Sequence, residues 1–198
     1  MVWIGSVLLS AMVMLVTFLA PAAEIAVTSD SPPGFLLLWT RYSAHLAFVF
    51  LLLAFSASTL KVLVNNAQTR GLVRYRRKLG LGFATAHTFH LVALILFLSN
   101  LEGYSVDASV AVAGFGYVVT ALLALTSNDY SVRRLGPAKW KHLHTVGIFI
   151  LMLYFFVAFS GRLLTSFAPI YAVYVALIAT AVVAKLRVKR RTLTAATD

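Results

Sequence analysis

His87 and His90 stand three residues apart inside an apolar stretch that opens on Arg76-Arg77-Lys78-Leu79-Gly80-Leu81 and runs to Asn100. At helical spacing both imidazoles share one face. An ionisable side chain within a membrane helix is costly and marks a functional site by default. Three more histidines complete the set: His45 in an earlier apolar run, and His142 and His144 flanking Leu143 after Trp140-Lys141. Neutral imidazole in such a bundle can ligate the iron of a b-type haem held between facing helices. It can instead relay protons, or bond across helices with no chemistry at all. Haem needs an axial nitrogen on each face of the iron, an apolar slot, and cations near its propionates. Arg76, Arg77, Lys78, Arg133, Arg134 and Lys139 could supply the last. The residue types alone leave the three readings open. With no cysteine in the chain, disulfides, zinc–thiolate sites and iron–sulfur clusters are excluded.

The elements that must position these side chains are membrane spans. Of 198 residues, 61% are hydrophobic and 12% charged, with a mean hydropathy of +0.89. A soluble domain carries roughly 25% charged residues. The apolar residues also come in long blocks rather than stripes, which predicts an all-α, polytopic membrane protein forming a single transmembrane domain over 1–198. Six runs are near the ~20 residues needed to cross the hydrocarbon core: about 2–23, 35–60, 79–98, 108–126, 143–160 and 167–184. The first ends in Ala20-Pro21-Ala22-Ala23, faintly like a signal-peptidase site, but no positive charge precedes it. It is therefore read as a retained helix. A turn-forming segment, Thr28 to Gly34, follows.

Charge sets the orientation. Six Lys/Arg lie from Lys61 to Lys78, four from Arg133 to Lys141 and five from Lys185 to Arg191, with Arg41 and Arg162 alone at the opposite ends of their spans. Glu24, Asp30, Glu102 and Asp107 lie on that opposite side. Six spans put every basic segment on one face, so both termini are expected to be cytoplasmic in an inner or plasma membrane. The net charge of +11 then reads as topology and contact with the lipid bilayer, not as nucleic-acid binding. Basic inner loops could also steer an acidic electron donor. Counting rise per residue, His90 lies roughly 18 Å and His87 roughly 14 Å from Lys78, while His45 lies about 24 Å from Lys61. His144 falls in the first turn of the fifth span. His142 reads as interfacial, Arg41 and Arg162 as snorkelling, and Gly114 and Gly116 as points of close helix approach.

Two blocks carry a family resemblance. Arg76-Arg77-Lys78-Leu79-Gly80-Leu81, with His90 ten residues after Gly80, resembles the third-helix signature of the ferric-reductase-like transmembrane domain. Leu125-Thr126-Ser127, Arg133-Arg134-Leu135-Gly136, Trp140-Lys141 and Leu143-His144 resemble its fourth-helix end, inner loop and fifth-helix start. The likeness runs from about residue 40 to 185. It is nearest to the haem-bearing membrane subunit of bacterial methionine-sulfoxide reductase systems. The resemblance implies transmembrane electron transfer through haem b, from a cytoplasmic flavin reductase or other donor to an acceptor on the outer face. His90 would be the third-helix ligand and His144 the inner ligand of the fifth helix, with FMN or a quinone as further possible cofactors. No fused NAD(P)H–flavin domain is visible in the chain, so the donor is expected to be separate.

The pattern also departs from the family. A second fifth-helix histidine is expected thirteen residues after His144, where this chain has Val157; Arg76 stands where the longer oxidases carry a histidine. His45 and His87 are additional. One haem is expected, with His90 as ligand and His45 or His144 opposite it; His87 with His144 is the other pairing. A haem-less membrane scaffold or assembly protein of the same fold is the alternative. A proton-coupled transporter would be expected to hold intramembrane carboxylates. All six Asp/Glu instead lie in loops or at the tail.

Overall fold

The computed structural model describes residues 2–19, 34–101, 103–105 and 108–194. Its elements are α1 (Val2–Leu19), α2 (Gly34–Leu63), α3 (Ala67–Ser99), α4 (Ala108–Leu125), α5 (Asp129–Leu135), α6 (Pro137–Ser166) and α7 (Pro169–Thr194). No strand occurs among the described residues. Helices α2, α3, α6 and α7 are long and apolar enough to cross a membrane. The pair α4–α5, bent by 96°, would be a fifth span if taken as one. Helix α1 is apolar but shorter. Glu24, Asp30, Glu102, Asp107, the Ala20–Ala23 segment and all but Gly34 of the expected turn lie outside the described residues.

Local chemistry sets the helix ends. Helix α3 begins twelve residues before the expected span. Asn66 caps it, accepting the Thr69 amide at 2.9 Å while its own amide is held by the Thr69 hydroxyl at 3.1 Å. No proline follows before Ser99, so the basic stretch continues as helix into the apolar one. Asn128 caps α5 through the Ser131 amide at 2.7 Å. Gly136, at φ 79°, makes the left-handed turn that an L side chain rarely adopts, and Pro137 then opens α6 at the position that lacks a helical donor.

Helix α2 is the hub, contacting α1, α3, α6 and α7. Its Phe48 and Phe55 are buried with Phe83 of α3, Phe155 and Phe159 of α6 and Tyr171 of α7. Phe48 and Phe159 meet edge to face at 5.1 Å. Such pairs contribute about 0.5–1.5 kcal/mol each beyond the area they bury. Outward positions such as Leu8, Phe115, Val118, Leu153 and Leu164 are exposed and apolar, as a lipid-facing surface requires. The close helix approach expected at Gly114 and Gly116 lies elsewhere. A Cβ at Gly114 would meet nothing within 4 Å, and one at Gly116 would meet Tyr154 only at 3.8 Å. The tight positions are Gly147, where it would stand 2.8 Å from Leu123, and Gly82, 3.1 Å from Phe50.

The basic segments converge at one end. Arg76 Nε donates to the Ala54 carbonyl at 3.1 Å, and Lys185 Nζ to the Phe55 carbonyl at 2.7 Å. Arg77 Nε donates to the Ser127 carbonyl at 2.7 Å, and its Nη1 pairs with Asp129 at 2.7 Å. These contacts tie the starts of α3 and α5 and the end of α7 to α2 and to one another.

Candidate functional site

His90 is the best-defined of the candidate side chains. Its Nδ1 lies 3.1 Å from the Ser43 hydroxyl of α2. The hydroxyl has one proton, and that proton is committed to its own helix, donated to the Trp39 carbonyl at 2.6 Å. With its proton so placed, the Ser43 hydroxyl can accept from a His90 Nδ1–H, the tautomer that leaves a lone pair on Nε2. A hydrogen bond at one ring nitrogen that fixes the other as a donor to metal is how metal-ligating histidines are commonly held. Both α2 and α3 place these groups well inside the bundle, and Ser43 is 2% exposed.

His87 sits one turn away and is the more enclosed, 2% exposed against a half-buried His90. Its ring stacks on Tyr117 of α4 at 4.3 Å, on Phe83 at 5.1 Å and beside His90 at 5.8 Å. Its Nδ1 is buried with no hydrogen-bond partner among the described residues. Trp39 Nε1 and Thr40 Oγ1, on the turn of α2 before Ser43, are likewise buried without a partner among the described residues.

The other two candidates occupy separate surroundings. His45 faces α6 and α7, against Phe159 at 6.2 Å, Tyr171 at 6.0 Å and Tyr174 at 5.1 Å. Ser43 and His45, two residues apart, thus lie on different sides of α2, with His45 still close enough to His90 for the two imidazoles to interact electrostatically. His144 lies at the basic end. Its ring stacks on Trp140 at 4.2 Å, and its Nε2 lies 3.0 Å from the Thr126 hydroxyl. That hydroxyl is also within reach of the Leu122 carbonyl at 2.7 Å, so it is Nε2 of His144, and not Nδ1 as in His90, that meets a hydroxyl. Trp140 Nε1 donates to the Thr126 carbonyl at 2.7 Å and locks this corner. His142 is exposed. Val157, at the position of the family's second fifth-helix histidine, is 62% exposed on the outward face of α6.

The structure therefore stacks His87 beside His90, while the rings of His45 and His144 pack on other aromatic side chains. The donor chemistry of His90 fits a haem iron: an imidazole half-buried within the bundle, met by Ser43 at one nitrogen and stacked beside the His87 ring. Helices α3 and α6 make no Cα–Cα approach within 8 Å, and only side chains such as Phe83, His87 and Phe155 bridge them. No described side chain supplies a second imidazole opposite His90. No group of three or more His, Cys, Asp or Glu is assembled for a bare metal ion among the described residues.

The partners that define these histidines, Ser43, Thr126 and Tyr117, were not singled out for this role from the sequence. A serine or threonine inside an apolar run is a faint signal, because most such hydroxyls bond back to their own helix, as Ser10 does to the Ser6 carbonyl at 2.8 Å. No protein-family model matches the chain, and no solved structure matches it.

Proposed function

We propose that the chain is a six-span membrane subunit of the ferric-reductase-like type that passes electrons across the bilayer through one b haem. The observation that carries this reading is His90: a half-buried imidazole within an apolar helix whose Nδ1 meets the Ser43 hydroxyl at 3.1 Å, a contact that in the Nδ1–H tautomer leaves Nε2 for iron. When bound, haem b supplies one-electron redox chemistry. The chain's residues then have distinct tasks. His90 donates Nε2, with Ser43 fixing the tautomer. The opposite donor in this reading is His45 or His144, either of which would have to turn toward the site from the surroundings described above. Phe83, Phe155 and Tyr117 keep water from the site. The cations at one end, Arg76, Arg77 and Lys78 foremost, would receive propionates and an acidic cytoplasmic flavin reductase or similar donor. FMN at that end and a quinone at the outer face belong to the same reading. Both termini are cytoplasmic in it.

The test is a reduced-minus-oxidised optical spectrum of the purified protein, with a pyridine haemochrome assay for stoichiometry. The expected result is a b-type α-band at one haem per chain, lost in His90→Ala and retained in His142→Ala. Alanine variants at His45 and His144 identify the second donor. Full haem in His90→Ala would overturn the assignment.

One observation favours a second reading, a haem-less scaffold. The interior is filled by Phe48, Phe55, Phe83, Phe155 and Phe159, and neither defined cavity, of about 440 and 320 Å3, is lined by a histidine. A flat spectrum after haem-replete expression selects it.

A further inference from the structure

The larger of those cavities, about 440 Å3, is a groove on the outward face of α7. Leu63, at the end of α2, forms its other wall. Along α7 the lining runs Ala179, Thr180, Val183, Ala184, Arg187, Val188 and Arg191, a single helical stripe. Small side chains at 179, 180 and 184 between the larger Leu63 and Val183 hollow it out. Its character changes along its length: apolar at first, then cationic. Arg187 and Arg191 are one turn apart at the end where the chain's basic segments gather. Arg187 makes no hydrogen bond or ion pair among the described residues.

We infer that this groove is a binding site for one anionic phospholipid, with an acyl chain along Ala179–Ala184 and the phosphate on Arg187 and Arg191. Three features select a lipid. The apolar-to-cationic order matches the order of chain and headgroup. The apolar part, from 179 to 184, is about 8 Å long, which takes the headgroup-proximal half of an acyl chain in a leaflet whose hydrocarbon is ~15 Å deep. Basic pockets between membrane helices on the positively charged side are a recurrent way of holding anionic headgroups. Nothing in this site depends on haem.

The test is native mass spectrometry of the full chain released from bilayers holding equimolar phosphatidylglycerol and phosphatidylcholine. The expected result is one retained phosphatidylglycerol per chain in preference to phosphatidylcholine. Arg187→Gln lowers that retention about fivefold, the share expected of one arginine near a lipid surface. Lys141→Gln, an exposed cation at the same end but outside the groove, leaves it unchanged. Ala184→Phe, which fills the groove with a lipid-compatible side chain, abolishes it. Equal retention of the two lipids overturns the site. So does equal loss in Arg187→Gln and Lys141→Gln, which would mean unspecific surface charge. Displacement of the lipid by millimolar inorganic phosphate would also overturn it, because the acyl groove would then contribute nothing.

Discussion

Replacing Ser43 by alanine tests the feature on which the reading of His90 rests. The Ser43 hydroxyl lies 3.1 Å from His90 Nδ1, as its acceptor in the Nδ1–H tautomer, while donating to the Trp39 carbonyl at 2.6 Å. Alanine removes the acceptor and leaves a buried N–H to find another. An unsatisfied buried donor costs about 1–3 kcal/mol, and the ring escapes that cost by turning or by moving its proton to Nε2. Either response withdraws the lone pair from iron. Loss of such a partner typically weakens metal binding about 10–100-fold. The Thr40 carbonyl, also beside the ring, sets the expectation near the lower end, about tenfold. The assay is haem titration of the apo-protein in lipid nanodiscs, followed by the α-band. Ser43→Thr keeps the hydroxyl and is expected to restore affinity. Ser10→Ala, which removes a buried hydroxyl bonded only to its own helix, serves as the control. A haem-free readout accompanies it: the 15N shifts of His90 should report Nδ1–H in wild type. An Nε2–H tautomer there, or Ser43→Ala affinity within about twofold of wild type, would refute the reasoning.

Three further outcomes are expected. Gly147→Ala drives a Cβ to 2.8 Å from Leu123, so overpacking of about 1–3 kcal/mol outweighs a helix-propensity gain of about 1 and the thermal midpoint falls. Gly161→Ala, with nothing within 4 Å, raises it by the propensity gain, up to about 1 kcal/mol. Asp129, hydrogen-bonded and paired to Arg77, is held below the usual carboxylate range. Its pairing therefore stabilises the fold above the unfolded pKa of about 3.9, and the stabilisation disappears as pH falls through the lower folded value. The stability difference between wild type and Asp129→Asn, measured across an acid titration, should be flat above that range, shrink below it, and shrink also with added salt.

The described helices account for the expected spans to differing degrees. Runs 35–60, 143–160 and 167–184 correspond to α2, α6 and α7, each with extra helix at one or both ends. The run from 79 became only the second part of α3, because hydropathy marks where lipid begins while the Asn66 cap marks where the helix begins. Leu125-Thr126-Ser127 and Trp140 through His144, contiguous blocks in the chain, became one corner once the bend after α4 folded Thr126 against Trp140 and His144. The glycines were misjudged: spacing within α4 drew attention to Gly114 and Gly116, whereas the close approach is at Gly147, which only the partner helix's Leu123 reveals.

What the sequence determined by itself is the class of molecule and the location of its charge. Apolar blocks of this length can satisfy their backbone in lipid only as helices, and like-charged segments between them gather at one end. It also named the imidazoles that lie within or beside the apolar runs, because an ionisable residue there is conspicuous at any position. What the tertiary structure alone decided is which way each imidazole faces and which of its nitrogens a neighbouring hydroxyl meets. His45 and His90 have similar expected depths, yet they fall on different sides of α2. His90 and His144 are the same residue type, yet Ser43 meets Nδ1 of one and Thr126 meets Nε2 of the other. Depth is a property of one helix and can be counted along it. Facing, and the nitrogen that a neighbouring hydroxyl meets, are properties of two helices in contact.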